Sequence, residues 1–137
     1  MQRILGIFLA VCGLLATSTL ALAHHSFTAE FDGSKVITIS GTLTKVDWVN
    51  PHTYFYVDVK DENGKVTNWA IEANPTGMMH RAGATRNMFV EGQTVTVTVN
   101  PAKDGTKALG CLRHITFQNG NQINLKDNNN GNSEDGK

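Results

Sequence analysis

Between Thr94 and Val99 the chain spells Thr-Val-Thr-Val-Thr-Val, and no other stretch narrows the possible folds so sharply. A period of two gathers the valines on one face only if the backbone is extended, because a helix repeats every 3.6 residues. The same period recurs along the chain. Ile37 and Ile39 alternate with Thr and Ser before Gly41, and Leu43 leads on to Val46 and Trp48. After Asn50-Pro51, residues 52–59 place Phe55, Val57 and Val59 on one side. Asp61-Glu62-Asn63-Gly64 marks a turn, since Asn-Gly tolerates the positive φ of tight hairpins. Val66 to Ala73 returns as a third strand, with Trp69, Ile71 and Ala73 sharing a face.

A different segment follows Asn74-Pro75. Met78, Met79, Ala82, Met88 and Phe89 are loosely spaced around Gly83, which predicts a short helix over 76–89 broken near that glycine. Leu109 to Phe117 reads as a fifth strand, and Asn119-Gly120 turns the chain into a short return over Ile123–Leu125. Three strands, one short helix between strands 3 and 4, and further strands predict a mainly β fold. The expectation is a small five- to six-stranded antiparallel barrel of the OB (oligonucleotide/oligosaccharide-binding) type. Its expected core is Ile39, Leu43, Val46, Phe55, Val57, Val59, Trp69, Ile71, Val95, Val97, Val99, Ile115 and Phe117. An immunoglobulin-like sandwich is the alternative, but it needs about seven strands.

The first 23 residues have the pattern of an export signal. Arg3 supplies the positive charge, Ile4 to Leu15 the apolar run, and Ala21-x-Ala23 the cleavage pattern. The run is too short for a stable membrane span. The expected organisation is a signal peptide over 1–23, a barrel over 24–125, and a polar tail over 126–137 with nothing to bury. The expected location is the periplasm. Cys12 departs with the signal, leaving Cys111 alone, so no intramolecular disulfide can form. Cys111 is expected as a small buried apolar residue in a strand. With Arg3 removed, 11 basic residues face 12 acidic ones and no Lys/Arg cluster exists. That balance argues against nucleic acid and acidic membranes as partners.

Five histidines remain to be explained: His24, His25, His52, His80 and His114. Cleavage after Ala23 would give the mature chain a His24 carrying both a free amine and an imidazole, a chelate for a late transition metal. Imidazole suits copper, zinc and nickel. His52 follows Asn50-Pro51, where proline restricts its own φ and biases Asn50 toward extended geometry, so His52 is held in place. Each has a plainer explanation. His24 and His25 would be a frayed terminus, and His52 a strand-end residue bonded to a turn. Phe27 and Phe31, four apart, would anchor the N-terminal segment on the barrel. Met78 and Met79 read as core filler around His80, and Trp48 and Trp69 as core or rim aromatics. No H-x-x-x-H or C-x-x-C zinc spacing, phosphate loop or nucleophile elbow is present. Asp47, Asp58 and Glu72 fall in strands with no spacing that singles out an acid–base pair.

Four segments carry a family resemblance. They are Ala23-His24-His25-Ser26-Phe27, then Gly41 through Val46-Asp47-Trp48-Val49-Asn50-Pro51-His52, then Val57–Asp61 with Asn68-Trp69-Ala70. They resemble a domain-of-unknown-function family of exported proteins from Gram-negative bacteria. The resemblance implies a periplasmic, barrel-like domain and supplies no enzyme class. His24, His25 and His52 fall in the shared segments; His80 and His114 do not. The last hairpin departs from the pattern, with Phe117-Gln118-Asn119-Gly120 where similar proteins tend to carry Leu-Pro-Asp-Gly.

Two functions follow as expectations. One is a periplasmic binding module holding copper or a similar ion through His24, His25 and His52. The other is a non-catalytic interaction protein that binds an envelope protein or small ligand without metal. A copper oxidase-type enzyme built on an N-terminal histidine would need a second ring ligand, an open position and a substrate surface. No catalytic constellation is evident.

Overall fold

The computed structural model describes residues 27–105 and 108–125. The expected signal peptide, His24, His25 and the expected tail lie outside the described residues. A helical turn α1 (Phe27–Glu30) precedes β1 (Ile37–Asp47), β2 (Tyr54–Lys60) and β3 (Val66–Glu72). Helix α2 (Thr76–Arg81) and a 3-10 turn (Arg86–Met88) lead to β4 (Thr94–Pro101), β5 (Leu109–Phe117) and β6 (Gln122–Asn124).

The strands form one sheet in the order β3-β2-β1-β4-β5-β6, closed on itself by pairing of β3 with β5. This is the OB-like barrel that the strand pattern predicts, with β6 added outside the ring, and not two packed sheets. One feature differs from the expected antiparallel ring. β3 and β5 run parallel, pairing Ala70 with Leu109, Ile71 with Gly110 and Glu72 with Cys111. Five strands cannot alternate in direction all the way round a ring, so one neighbouring pair must be parallel.

Two glycines let the ring close. β1 serves two neighbours, β4 through Ile37–Thr42 and β2 through Thr42–Asp47. Where it passes from one to the other, a Cβ on Gly41 would strike the Asp58 carbonyl and the Val57 side chain. At the closing pair, a Cβ on Gly110 would lie 2.7 Å from Val99 Cγ2. Any side chain at either point would push strands apart.

A bulge sets the inward face of β5. Register shifts between Thr98 and Val99, which oppose His114 and Leu112 and leave Arg113 as the extra residue. Strict alternation would send Leu112 and Ile115 to opposite faces; the extra residue turns both inward, at 1% and 0% exposure. Cys111 accordingly sits in a strand, as expected, but half-buried beside Glu72 and not fully buried, on the other face from Gly110 and Leu112.

The core holds Leu43, Phe55, Val57, Ile71, Val95, Val97, Val99, Ile115 and Phe117, as the alternation predicts. Ile39, Val46, Val59 and Trp69, expected in the core, are only partly buried against it. The segment after β3 caps the barrel end: Met79 and Ala84 are fully buried, and Phe89 stacks on Phe55 at 4.4 Å. The break falls where expected, with Gly83 at φ +85. Burying a ring such as Phe55 contributes about 1.5–3 kcal/mol relative to leaving it exposed.

The N-terminal segment is a strap, fixed on the barrel as the two phenylalanines suggest. Phe31 is 2% exposed and bridges to Ala102, whereas Phe27 packs against it from a more open position. Buried Asn100 clasps the strap. Its Nδ2 lies 2.6 Å from the Lys35 carbonyl and within 3.5 Å of those of Asp32 and Gly33, and its Oδ1 accepts from Arg113.

Candidate functional site

The β1–β2 connection, Trp48 to Thr53, crosses one end of the barrel. Asn50 fastens it: its Oδ1 accepts from both the backbone N–H (3.1 Å) and the hydroxyl (3.0 Å) of Thr76, at the start of α2. Beyond the cis Asn50–Pro51 peptide, Thr53 extends the β2–β3 ladder. Its N–H donates to the Asn74 carbonyl, and its carbonyl accepts from Ala73. His52 is thus held between two anchored neighbours.

The His52 ring meets a carboxylate. Its Nδ1 lies 3.1 Å from Glu72 Oε1, and the Tyr54 hydroxyl donates to Glu72 Oε2 at 2.7 Å. Tyr54 and Glu72 are direct cross-strand partners, so the backbone register itself sets that hydrogen bond. Glu72 is 15% exposed and His52 31%, which makes the pair a half-buried rim and not a surface ion pair. Burial, then the hydrogen bond to the Glu72 carboxylate, holds the Tyr54 phenol well above its ordinary pKa. Nδ1 faces Glu72, and Nε2 has no hydrogen-bond partner among the described residues.

Cys111, across the closing pair from Glu72, feels the same surroundings. Burial and the nearby Glu72 charge push its thiol up to about 12, against the opposing pull of Arg113. It stays a protonated thiol at neutral pH, the opposite of a reactive or metal-binding thiolate. Glu30 of the strap adds a minor electrostatic push in the same direction on both Tyr54 and Cys111.

The other sequence candidates lie elsewhere or apart. His80, exposed on α2, presents its ring edge-on to Trp48 at 5.6 Å. His114, on β5, pairs with the Thr116 hydroxyl at 3.0 Å. Met79 is core, Met78 half-buried, and Trp48 leans on Phe89 at the rim. Among the described residues no group of three or more His, Cys, Asp or Glu side chains converges, so His52 and Glu72 alone do not make a metal cage.

Sequence reasoning missed Glu72 and Tyr54. A usable signal was there: counting equally along both strands from the hairpin-closing pair Lys60–Val66 brings Tyr54 opposite Glu72. Two buried polar atoms sit next to the site without hydrogen-bond partners among the described residues, Thr53 Oγ1 and Asn74 Nδ2. No helix of the described residues is long and apolar enough to cross a membrane.

Comparison with known proteins adds a family and fold-level likenesses. No curated protein matches the chain. Among solved structures, the mitochondrial single-stranded DNA binding protein Rim1 from S. cerevisiae is similar at 12% identity and TM-score 0.47, over 61% of this chain and 93% of that one. TiaS, in a complex with a transfer RNA and ATP, is similar at 18% identity and TM-score 0.45, over 64% of this chain and 19% of that one. The N-terminal domain of PriB from Thermoanaerobacter tencongensis is similar at 12% identity and TM-score 0.42, over 61% of this chain and 96% of that one. The barrel assignment rests on the strand pairings above and not on these likenesses. A family model, described as a family of unknown function (DUF6152), matches residues 11–111, most of the chain. The chain therefore belongs to this family of unknown function.

Proposed function

We propose that the chain is an exported periplasmic binding module whose barrel carries a transition-metal site, copper foremost, formed by His24, His25 and His52. The observation that carries this reading is the His52–Glu72 contact. A carboxylate 3.1 Å from one ring nitrogen is the kind of partner that orients ligand histidines in metal sites.

The strap supports the other half. Phe27 packs on Phe31, which is itself anchored on the barrel at Ala102. His24 lies three residues before Phe27, a reach of at most about 11 Å in extended chain. A chain cleaved after Ala23 would offer an amine and two imidazoles as donors alongside the His52 ring. Nitrogen donors of this kind favour copper over other divalent ions in the ordinary affinity order. The near-neutral charge disfavours nucleic acid as the partner, whatever this barrel shape does in other proteins.

Titration of correctly processed protein with Cu(II) and Cu(I) tests the reading. Binding tighter than micromolar, weakened by His24→Ala and by His52→Ala, is expected. No such binding, or binding indifferent to both substitutions, removes the metal and leaves a module that binds an envelope protein or small ligand. The N-terminus must carry no added residues, which would abolish the amine ligand.

A further inference from the structure

We propose that the capped end of the barrel binds one ordered water molecule, held between the Thr53 hydroxyl and the Asn74 side-chain amide. The proposal goes beyond the metal reading and does not depend on it. Thr53, Phe55 and Val57 are fully buried, with half-buried Tyr54 and Tyr56 between them, so Thr53 belongs to the inward face of its strand. Neither Thr53 Oγ1 nor Asn74 Nδ2 has a hydrogen-bond partner among the described residues, and both atoms are buried. A polar atom that loses its hydration on folding is costly unless a partner replaces it. Ordered water is the ordinary replacement where protein groups supply none.

The backbone makes these two residues neighbours. Thr53 opposes two residues at once: its carbonyl accepts from the Ala73 N–H at 2.8 Å, and its N–H donates to the Asn74 carbonyl at 3.3 Å. This two-against-one arrangement is that of a bulge, and it sets Asn74 beside Thr53 and not beyond it. The chemistry of the pair also suits water. An amide nitrogen only donates, whereas a hydroxyl oxygen can accept. One water accepts from Asn74 and donates to Thr53, so each bond of the bridge has a donor and an acceptor. Thr53 directly follows His52, and Asn50 already holds Thr76. The water is thus a second polar fastening on the connection that carries His52.

Water-selective NOE spectroscopy of the isotope-labelled full chain tests the bridge. Cross-peaks from long-lived water to both the Thr53 methyl and the Asn74 side-chain amide are expected. Thr53→Val keeps the shape and removes the hydroxyl. It should abolish the Asn74 cross-peak and lower the thermal midpoint by about 4–8 °C, the shift that losing one net hydrogen bond gives a domain of this size. Thr53→Ser should retain the Asn74 cross-peak, and it carries the test together with the wild-type spectrum if Thr53→Val does not fold. A cross-peak at Thr53 alone is the mark of hydroxyl exchange with solvent and overturns the proposal, as does the absence of both. A higher thermal midpoint in Thr53→Val also overturns it, because the hydroxyl would then be buried without a partner.

Discussion

Strands β2 and β3 leave each other at two ends, and the chain treats those ends differently. At the Lys60–Val66 end the turn is self-sufficient. Asp61 Oδ1 accepts from the N–H groups of Asn63 and Lys65, both at 2.9 Å, and Gly64 takes φ +83. These turn contacts span at most four residues, every residue from Lys60 to Asn68 is exposed, and the longer-range bonds of Asn68 to Asp58 and Thr44 are exposed too. At the other end, the groups around His52 are half-buried and tied across long stretches of chain. Tyr54 reaches Glu72, 18 residues on, and Asn50 reaches Thr76, 26 on. A hairpin needs only the first kind of end. Half-buried polar contacts of that span around one imidazole go beyond what turning a chain requires, and that excess sets the His52 end apart.

Substitutions can break or sharpen this contrast. The largest effect belongs to Phe89→Ala, because Phe55, Trp48 and Phe117 all pack on that ring at the capped end. A loss of about 3–5 kcal/mol in chemical denaturation is expected. A loss below about 1.5 kcal/mol would mean that the cap does not support the site. Tyr54→Phe comes next. Removing a donor from a partly buried carboxylate should cost about 1–2 kcal/mol. At the simple end, Asp61→Ala should cost about 0.5–1 kcal/mol, because its partners can turn to water. Equal costs, or the reverse order, would erase the distinction between the two ends. Gly64→Ala, which forces a side chain to adopt positive φ, should cost about 1 kcal/mol and leave the His52 end untouched.

The smallest effect concerns Cys111 and is read by pH. Its folded pKa is raised, to about 12, above the ordinary 9.0. The stability this gives is complete below pH 9 and is lost as pH climbs toward 12, because the unfolded thiol ionises first. Alkylation at pH 8 should therefore be on the order of a thousandfold slower in the folded protein than in denatured chain, from the thiolate fraction alone. Fast alkylation of the folded protein at pH 8 would show that the face beside Glu72 is open and polar.

Most of the barrel was legible because its strands are buried on one side only. Alternation in Thr94–Val99 and Phe55–Val59 leaves little choice of conformation, and Gly83 broke the helical segment where its spacing suggested. What alternation cannot show is a change of phase. The extra residue at Arg113 turned Leu112 inward and Cys111 outward, and nothing in the local composition of Leu109–Phe117 announces a bulge. The site was half legible. His52 stood out by its place after Asn50-Pro51, yet Glu72 looked like any strand carboxylate. Its meaning comes from the residue opposite, and that depends on hairpin register, which is set by the loop between the strands and not by the spacing of acidic residues.

Native mass spectrometry of protein taken from the periplasm of copper-supplemented cells tests the central claim most directly, since it reports the first residue and the bound ion together. The account predicts a chain beginning at His24 that retains one copper ion, and loses it in His52→Ala. A chain beginning elsewhere, or a chain beginning at His24 that carries no ion under any copper supply, would contradict it.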